Sequence, residues 1–187
     1  MKAVTTPQNQ TTTLWKKNGY QTHHQNPKRK PMALNNAFTV GQTLTAQECN
    51  NLPFGVASND SDASNYNLTT TLTAVPGLST TWTADSTRLY KITYYEPQCQ
   101  TSTVASYINL QLRQTNAAGT QLQSTFVQNE TAVSTTTGQT CIFIGTFASG
   151  SVTVVPCALS SSTTGTPRLV HSGTTRAFII VEDVGLD

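Results

Sequence analysis

At 187 residues the chain has room for one domain of ordinary size plus a tail, and enough length to bury a core. Only 11% of the residues are charged, so solubility rests on Thr, Ser, Asn and Gln; Thr alone, roughly a fifth of the chain, favours strands and tolerates water on an outer face. No apolar run approaches the length of a membrane span and the N-terminus lacks the apolar stretch of a secretory signal, so no membrane partner is expected.

The net charge of +2 conceals an asymmetry. Lys2, Lys16, Lys17, Lys28, Arg29 and Lys30 all fall in the first 31 positions, where no Asp or Glu occurs. Beyond them, five basic residues face all nine acidic ones, a net charge of −4. A basic arm is joined to a mildly acidic domain. Cys49, Cys99, Cys141 and Cys157 lie too far apart for the paired spacing of a zinc site. Cys141 and Cys157 are candidates for a bridge between neighbouring strands, but buried free thiols are the expectation for a chain made in a reducing cytosol.

Residues 1–37 read as an extended basic arm. Its prolines, above all those around Pro27-Lys28-Arg29-Lys30-Pro31, lock it out of helix. Such a segment orders only against a partner, with Leu14, Trp15 and Tyr20 as its apolar anchors. Residues 38–66 read as an attachment segment. Thr45-Ala46-Gln47-Glu48 fits a capping box, with Leu44 and Cys49 at the staple positions, so a short helix is expected over Ala46–Asn51. An extended Phe38-Thr39-Val40 precedes it and the linker Leu52-Pro53-Phe54-Gly55-Val56 follows. Asn59–Asn65 lacks the sixth-position Gly and the closing Glu of a calcium loop and reads as a solvated linker.

Residues 67–187 read as strands. Leu68–Thr73 is the first candidate, then Leu78–Ala84 and Arg88–Glu96, in which Tyr90, Ile92 and Tyr94 share the inward face. Val104–Arg113 and Gln121–Val127 form a hairpin around Asn116–Gly119. Thr140–Phe147, Val152–Leu159 and a short edge at Arg168–His171 follow. The last strand, from Ala177 to Val181, is apolar on both sides, as a strand buried on both faces would be, and stops at Glu182-Asp183-Val184-Gly185. About eight strands with frequent turns predict an all-β, antiparallel jelly-roll sandwich with an extended N-terminal arm and one short helix.

No catalytic constellation stands out. His171 near Ser160–Ser162 and Asp183 sketches a triad that no nucleophile elbow supports. No phosphate-cradling loop precedes a helix, and no metal or other cofactor is expected. Trp82, Tyr94, Tyr95 and Tyr107 are available for stacking on sugars, against the more ordinary use of such rings in a core or subunit interface.

Two stretches carry a resemblance. Phe38-Thr39-Val40-Gly41-Gln42-Thr43-Leu44-Thr45-Ala46, leading into Asn50-Asn51-Leu52-Pro53-Phe54-Gly55-Val56, resembles the opening of many tailed-bacteriophage virion proteins, "F-T-x-G-Q-x-L-T-A" into "N-N-L-P-x-G-V". The closing Val181-Glu182-Asp183-Val184-Gly185 is similar to their "V-E-D-I-G" ending. Between them, Trp82-Thr83-Ala84 and Arg88-Leu89-Tyr90-Lys91-Ile92 look like their Trp/Phe strand and "R-x-Y-R-I" strand. Met32-Ala33-Leu34 matches the usual start of the family, so the 31 residues ahead of it are a departure.

The resemblance implies a jelly-roll module of the tumour-necrosis-factor type, usually trimeric, built into or onto a phage particle as a minor tail or capsid decoration protein. On that reading the chain is a non-enzymatic homotrimer that binds other virion proteins. Attachment falls to Trp15, Lys16, Lys17, Lys28, Arg29, Lys30, Phe38, Leu44, Leu52 and Phe54. Trp82, Tyr90, Tyr94 and Phe178 fill the core or the trimer contact. The rival reading is a glycan-binding receptor module of a phage appendage, which requires Trp82 or a tyrosine exposed beside amides. Nucleic acid is not expected as a partner.

Overall fold

A computed structural model describes residues 51–101, 106–128 and 135–187, all within the second of two units, Leu44–Asp187. Eight long strands form: β1 (Gly55–Asp62), β4 (Thr80–Ala84), β5 (Arg88–Thr101), β6 (Tyr107–Gln114), β7 (Gln121–Gln128), β8 (Thr135–Gly145), β9 (Gly150–Ser160) and β11 (Ala177–Leu186). Three two-residue strands join them: β2 (Tyr66–Asn67), β3 (Thr73–Ala74) and β10 (Arg168–Leu169). Among the described residues there is no helix. The helix expected over Ala46–Asn51 lies outside them except for Asn51, which is in a turn.

All pairings are antiparallel, in two sheets. The first runs β1–β11–β5, with β8 on the far flank of β5 and β10, carrying β2, on β5 beyond the end of β11. The second runs β3–β9–β6–β7, with β4 also on β9. Ile92, Tyr94, Ile179 and Val181 of the first sheet pack against Ile108, Leu110, Leu112 and Val154 of the second, all fully buried. This is a β-sandwich, with side chains alternating between a dry interior and an outer face. At one end the rings of Trp82, Tyr90, Phe143 and Phe147 close the core; Trp82 meets Phe147 edge-on at 5.2 Å.

The β6–β7 turn shows how local residues set register. Asn116 Oδ1 accepts the Ala118 N–H at 2.9 Å, and the Asn116 carbonyl accepts the Gly119 N–H at 2.9 Å. A Cβ on Gly119 would lie 1.7 Å from the Gln114 carbonyl oxygen, so only glycine fits.

Several expectations need correction. The solvated linker over Asn59–Asn65 is, through Asp62, part of the edge strand β1. Its polarity is used: Asp60 accepts the Ser79 N–H at 3.0 Å, and Ser58 bonds Thr80 across the two sheets. No strand spans Leu68–Thr73. Leu68 and Val75 dip into the core, while the Thr69 hydroxyl bonds both backbone groups of Thr71 and turns the chain between them. β5 does not end at Glu96; it crosses Pro97 on a bulge between Glu96 and Cys99 and continues to Thr101. β10 is an inner strand rather than an edge.

The final strand is central, between β1 and β5, but it is not buried on both faces. Ala177, Ile179, Val181 and Asp183 are buried, while Phe178, Ile180, Glu182 and Val184 are half-buried on the outer face. Nor does it stop at Glu182. It runs to Leu186, past an irregularity between Asp183 and Gly185 where Gly185 takes a φ of 119°.

Candidate functional site

The acidic end of β11 holds an interior ion pair. Arg88 opens β5 directly after the Asp85–Thr87 turn, and its Nε and Nη2 both donate to the Asp183 carboxylate, Nη2 at 2.7 Å. Both side chains are about 95% buried, with relative exposures of 5% and 4%. Burial pushes the Asp183 carboxyl up, but the Arg88, Gly185 and Phe54 hydrogen bonds outweigh it and hold the group below the usual carboxylate range. The same contact to Asp183 raises Arg88. A two-pronged charged pair is geometrically selective as well as strong.

Arg88 does more than hold Asp183. Its Nη2 also donates to the Leu52 carbonyl at 2.6 Å, and its guanidinium lies 3.6 Å from the centre of the Phe54 ring. Gly55 and Val56 then pair with Asp183 and Glu182 as β1 begins. Leu52–Val56, Arg88 and Asp183–Gly185, far apart in the chain, meet at one point on the rim of the sandwich. Phe54 and Leu52 remain 65% and 40% exposed there, available to a partner. Among the described residues of this site, the two charged groups are engaged with each other. The site grips the backbone that leads into the sandwich.

Of the residues assigned to attachment, Trp15, Lys16, Lys17, Lys28, Arg29, Lys30, Phe38 and Leu44 lie outside the described residues. Of the assigned aromatics, Trp82, Tyr90 and Tyr94 are core residues. Phe178 lies on the outer face of the first sheet, its ring 5.3 Å from that of Tyr95. The sugar-stacking roles considered for Trp82 and Tyr94 are thereby overturned, because both are buried. Tyr95 is half-buried, and Tyr107, at 41% exposure, reaches solvent.

The outer face of the first sheet is a second candidate surface. Cross-strand register aligns Phe178, Tyr95 and Thr140 in one row, Ile180, Thr93 and Ile142 in the next, and Glu182, Lys91 and Ile144 in a third. Ile142 and Ile144 are 44% and 56% exposed. The two charges in these rows neutralise each other, Lys91 Nζ donating to Glu182 at 2.9 Å.

The sketched triad does not form. Asp183 belongs to Arg88, and Ser160 Oγ donates to the Ser162 carbonyl at 2.8 Å. His171 instead faces Glu96, with Nε2 at 2.9 and 3.0 Å from its two oxygens, and approaches Asp62 at 3.5 Å through Nδ1. Tyr94 Oη donates to the same Glu96 at 2.8 Å. Burial depresses the His171 imidazole, but the hydrogen bonds and charges of Glu96 and Asp62 outweigh it and raise its pKa above the ordinary value. Cys99, Cys141 and Cys157 are buried free thiols; burial pushes Cys141 and Cys157 up to about 11, so they are poor nucleophiles at neutral pH. The bridge between Cys141 and Cys157 is thus ruled out: β8 and β9 lie in different sheets.

Sequence reasoning missed both buried pairs. Arg88 and Asp183 are 95 positions apart, and Glu96 and His171 are 75 apart, so no local pattern announces them. The available signal was scarcity: in a chain with 11% charged residues, a charge inside an apolar strand needs a partner.

No family model matches the sequence, and no curated protein does. Among solved structures, the chain is similar to one described under "Bacillus endospore appendages form a novel family of disulfide-linked pili", at 16% identity over 70% of this chain and 98% of that one, with a TM-score of 0.25. A likeness that low carries no argument about fold or role.

Proposed function

We propose that the chain is a non-enzymatic structural protein of a tailed-phage virion, a minor tail or capsid decoration protein, in which a trimeric jelly-roll module is attached through the segment ahead of β1. The observation that carries this reading is the meeting at Arg88 of the three stretches on which the family resemblance rests. Leu52–Val56, Arg88 and Asp183–Gly185 are joined by one ion pair, one carbonyl contact and one stacked ring. A module that bears load through its N-terminal segment needs that segment's root fixed, and Arg88, itself held by the buried Asp183, fixes it through a charge-assisted bond to the Leu52 carbonyl. The jelly-roll reading is supported by strand order, β1–β11–β5–β8 facing β4–β9–β6–β7, in which the chain changes sheet at almost every connection. The trimer reading is supported by the exposed apolar rows on the outer face of the first sheet, Ile142 and Ile144 above all.

Two measurements test it. Peptide mass spectrometry of gradient-purified particles should detect the chain, and particles made with a chain lacking residues 1–31 should retain less of it. Sedimentation velocity of the full chain at micromolar concentration should give a trimer. Recovery of the chain only in the soluble fraction of lysed cells, never with particles, sinks the virion reading; a monomer sinks the trimer.

A further inference from the structure

We propose that the outer face of the second sheet, at Tyr107 and Phe126, is a binding site for neutral glycans. The inference goes beyond the virion reading and does not depend on it. β6 sends Tyr107, Asn109 and Gln111 outward, and β7 sets Gln128, Phe126 and Ser124 directly opposite them. Tyr107 and Phe126 are 41% and 63% exposed, on neighbouring strands, with ring centres 6.3 Å apart and planes inclined at 63°. They form an apolar corner at the edge of the sheet, among the outward amides and hydroxyl of Asn109, Gln111, Ser124 and Gln128, with Leu159 of β9 on the other side of Asn109. Leaving a phenylalanine ring this exposed forgoes about 2 kcal/mol of burial. A hydrophilic replacement on an edge strand would forgo nothing.

The ring of amides decides the ligand class. An aromatic face receives the C–H face of a pyranose, and each primary amide both donates to and accepts from sugar hydroxyls. The Asn109 carbonyl oxygen is buried with no hydrogen-bond partner, and Asn109 pairs directly with Phe126 across the strands. That unpaired acceptor, one strand from Phe126, would gain its missing partner from a ligand hydroxyl. The Ser161 hydroxyl, which accepts the Tyr107 N–H at 2.9 Å, keeps its own proton to donate at the same end of the strand.

Charge points the same way. The outward residues of β6 and β7 carry one charge, Arg113, at the opposite end of β6. Its Nε donates to Gln111 at 2.8 Å, its Nη1 to the Gly119 carbonyl at 2.8 Å and its Nη2 to Gln121 at 3.4 Å. One cation at the far end of β6, turned onto neutral acceptors of its own strands, is fewer than phosphates or sulfates require. Neutral hexose or N-acetylhexosamine chains fit it, and nucleic acid or acidic polysaccharide does not. This surface is on the opposite side of the sandwich from Ile142 and Ile144, so association through the first sheet would leave it open.

The test is an array of neutral hexose and N-acetylhexosamine oligosaccharides, printed beside sialylated and sulfated ones, probed with the full chain. Saturable signal on neutral members is expected, persisting in 1 M salt, and reduced about tenfold or more in Tyr107→Ala and in Phe126→Ser but not in Arg113→Gln. Phe126→Ser removes an exposed ring and should leave circular dichroism and sedimentation unchanged. Absence of signal on the neutral members, signal confined to acidic ones, or signal untouched by Phe126→Ser overturns the proposal. So does a Phe126→Ser variant that loses oligomeric mass, since the corner would then be a subunit contact.

Discussion

Two buried charges on different strands decide how the rim of the sandwich is built. Arg88 and Asp183 each lose water, and their mutual bonds plus the Leu52 carbonyl replace it. Removing one partner strands the other, which typically costs about 3–5 kcal/mol, whereas removing both costs less than the sum because no orphan charge remains. Arg88→Ala and Asp183→Ala should therefore each lower the urea midpoint sharply, and the double variant should lie near the single ones; additive losses would mean that the pair does not act as a unit. His171 makes a different prediction. Its folded pKa is raised above the ordinary value of 6.5, so its bond to Glu96 contributes fully below pH 6.5 and is lost as pH rises through the raised value. The stability gap between the wild type and His171→Gln should shrink between pH 5.5 and pH 8.5. A constant gap in urea melts would show that the imidazole does not carry charge in the folded chain. Asp183, with its pKa lowered from 3.8, acts at the other end of the scale, contributing above that value and losing its contribution as pH falls through the depressed one.

At the scale of elements, strands with strict alternation are the ones legible in the sequence. β6 shows Ile108, Leu110 and Leu112, and β5 shows Tyr90, Ile92 and Tyr94, each set on one face as the period of two requires. β1 is illegible because an edge strand facing water on one side is free to be polar, and its Asp60 and Ser58 are spent on bonds to residues about 20 positions away. β11 misleads for the opposite reason. Phe178 and Ile180 are apolar on a face that the described residues only half cover. The β6–β7 turn carries a defect that the sequence also hides: Thr115 has a φ of 73°, in the left-handed region that a β-branched residue enters at a cost of roughly 1–2 kcal/mol. Asn tolerates that region and Thr115 is exposed, so Thr115→Asn should raise the thermal midpoint by about 2 °C. A fall would mean that the threonine hydroxyl contributes more than its backbone costs.

For the whole molecule the decisive contrast is between its two outer faces. On the second sheet β6 and β7 turn amides and hydroxyls outward around one aromatic corner, while the outward Val155 and Cys157 of β9 are buried. The first sheet presents Phe178, Tyr95, Ile180, Ile142 and Ile144 in register, with a single self-neutralised ion pair among them. Exposed apolar rows of this kind suit burial against another chain, and β8, the edge of the sheet from Thr135 to Gly145, has none of the lysines that normally protect an exposed strand. A carboxylate placed on this edge should break self-association without disturbing the fold, since Ile142 and Ile144 point away from the core. Ile144→Glu, with Ile142→Glu as its companion, is expected to sediment as a monomer while keeping the wild-type circular dichroism spectrum and a urea midpoint close to that of a dissociated wild type. Arg113→Gln on the opposite face should leave the mass unchanged. If Ile144→Glu remains fully associated at micromolar concentration, the first sheet is not the contact between copies, and its apolar rows must serve a partner of another kind.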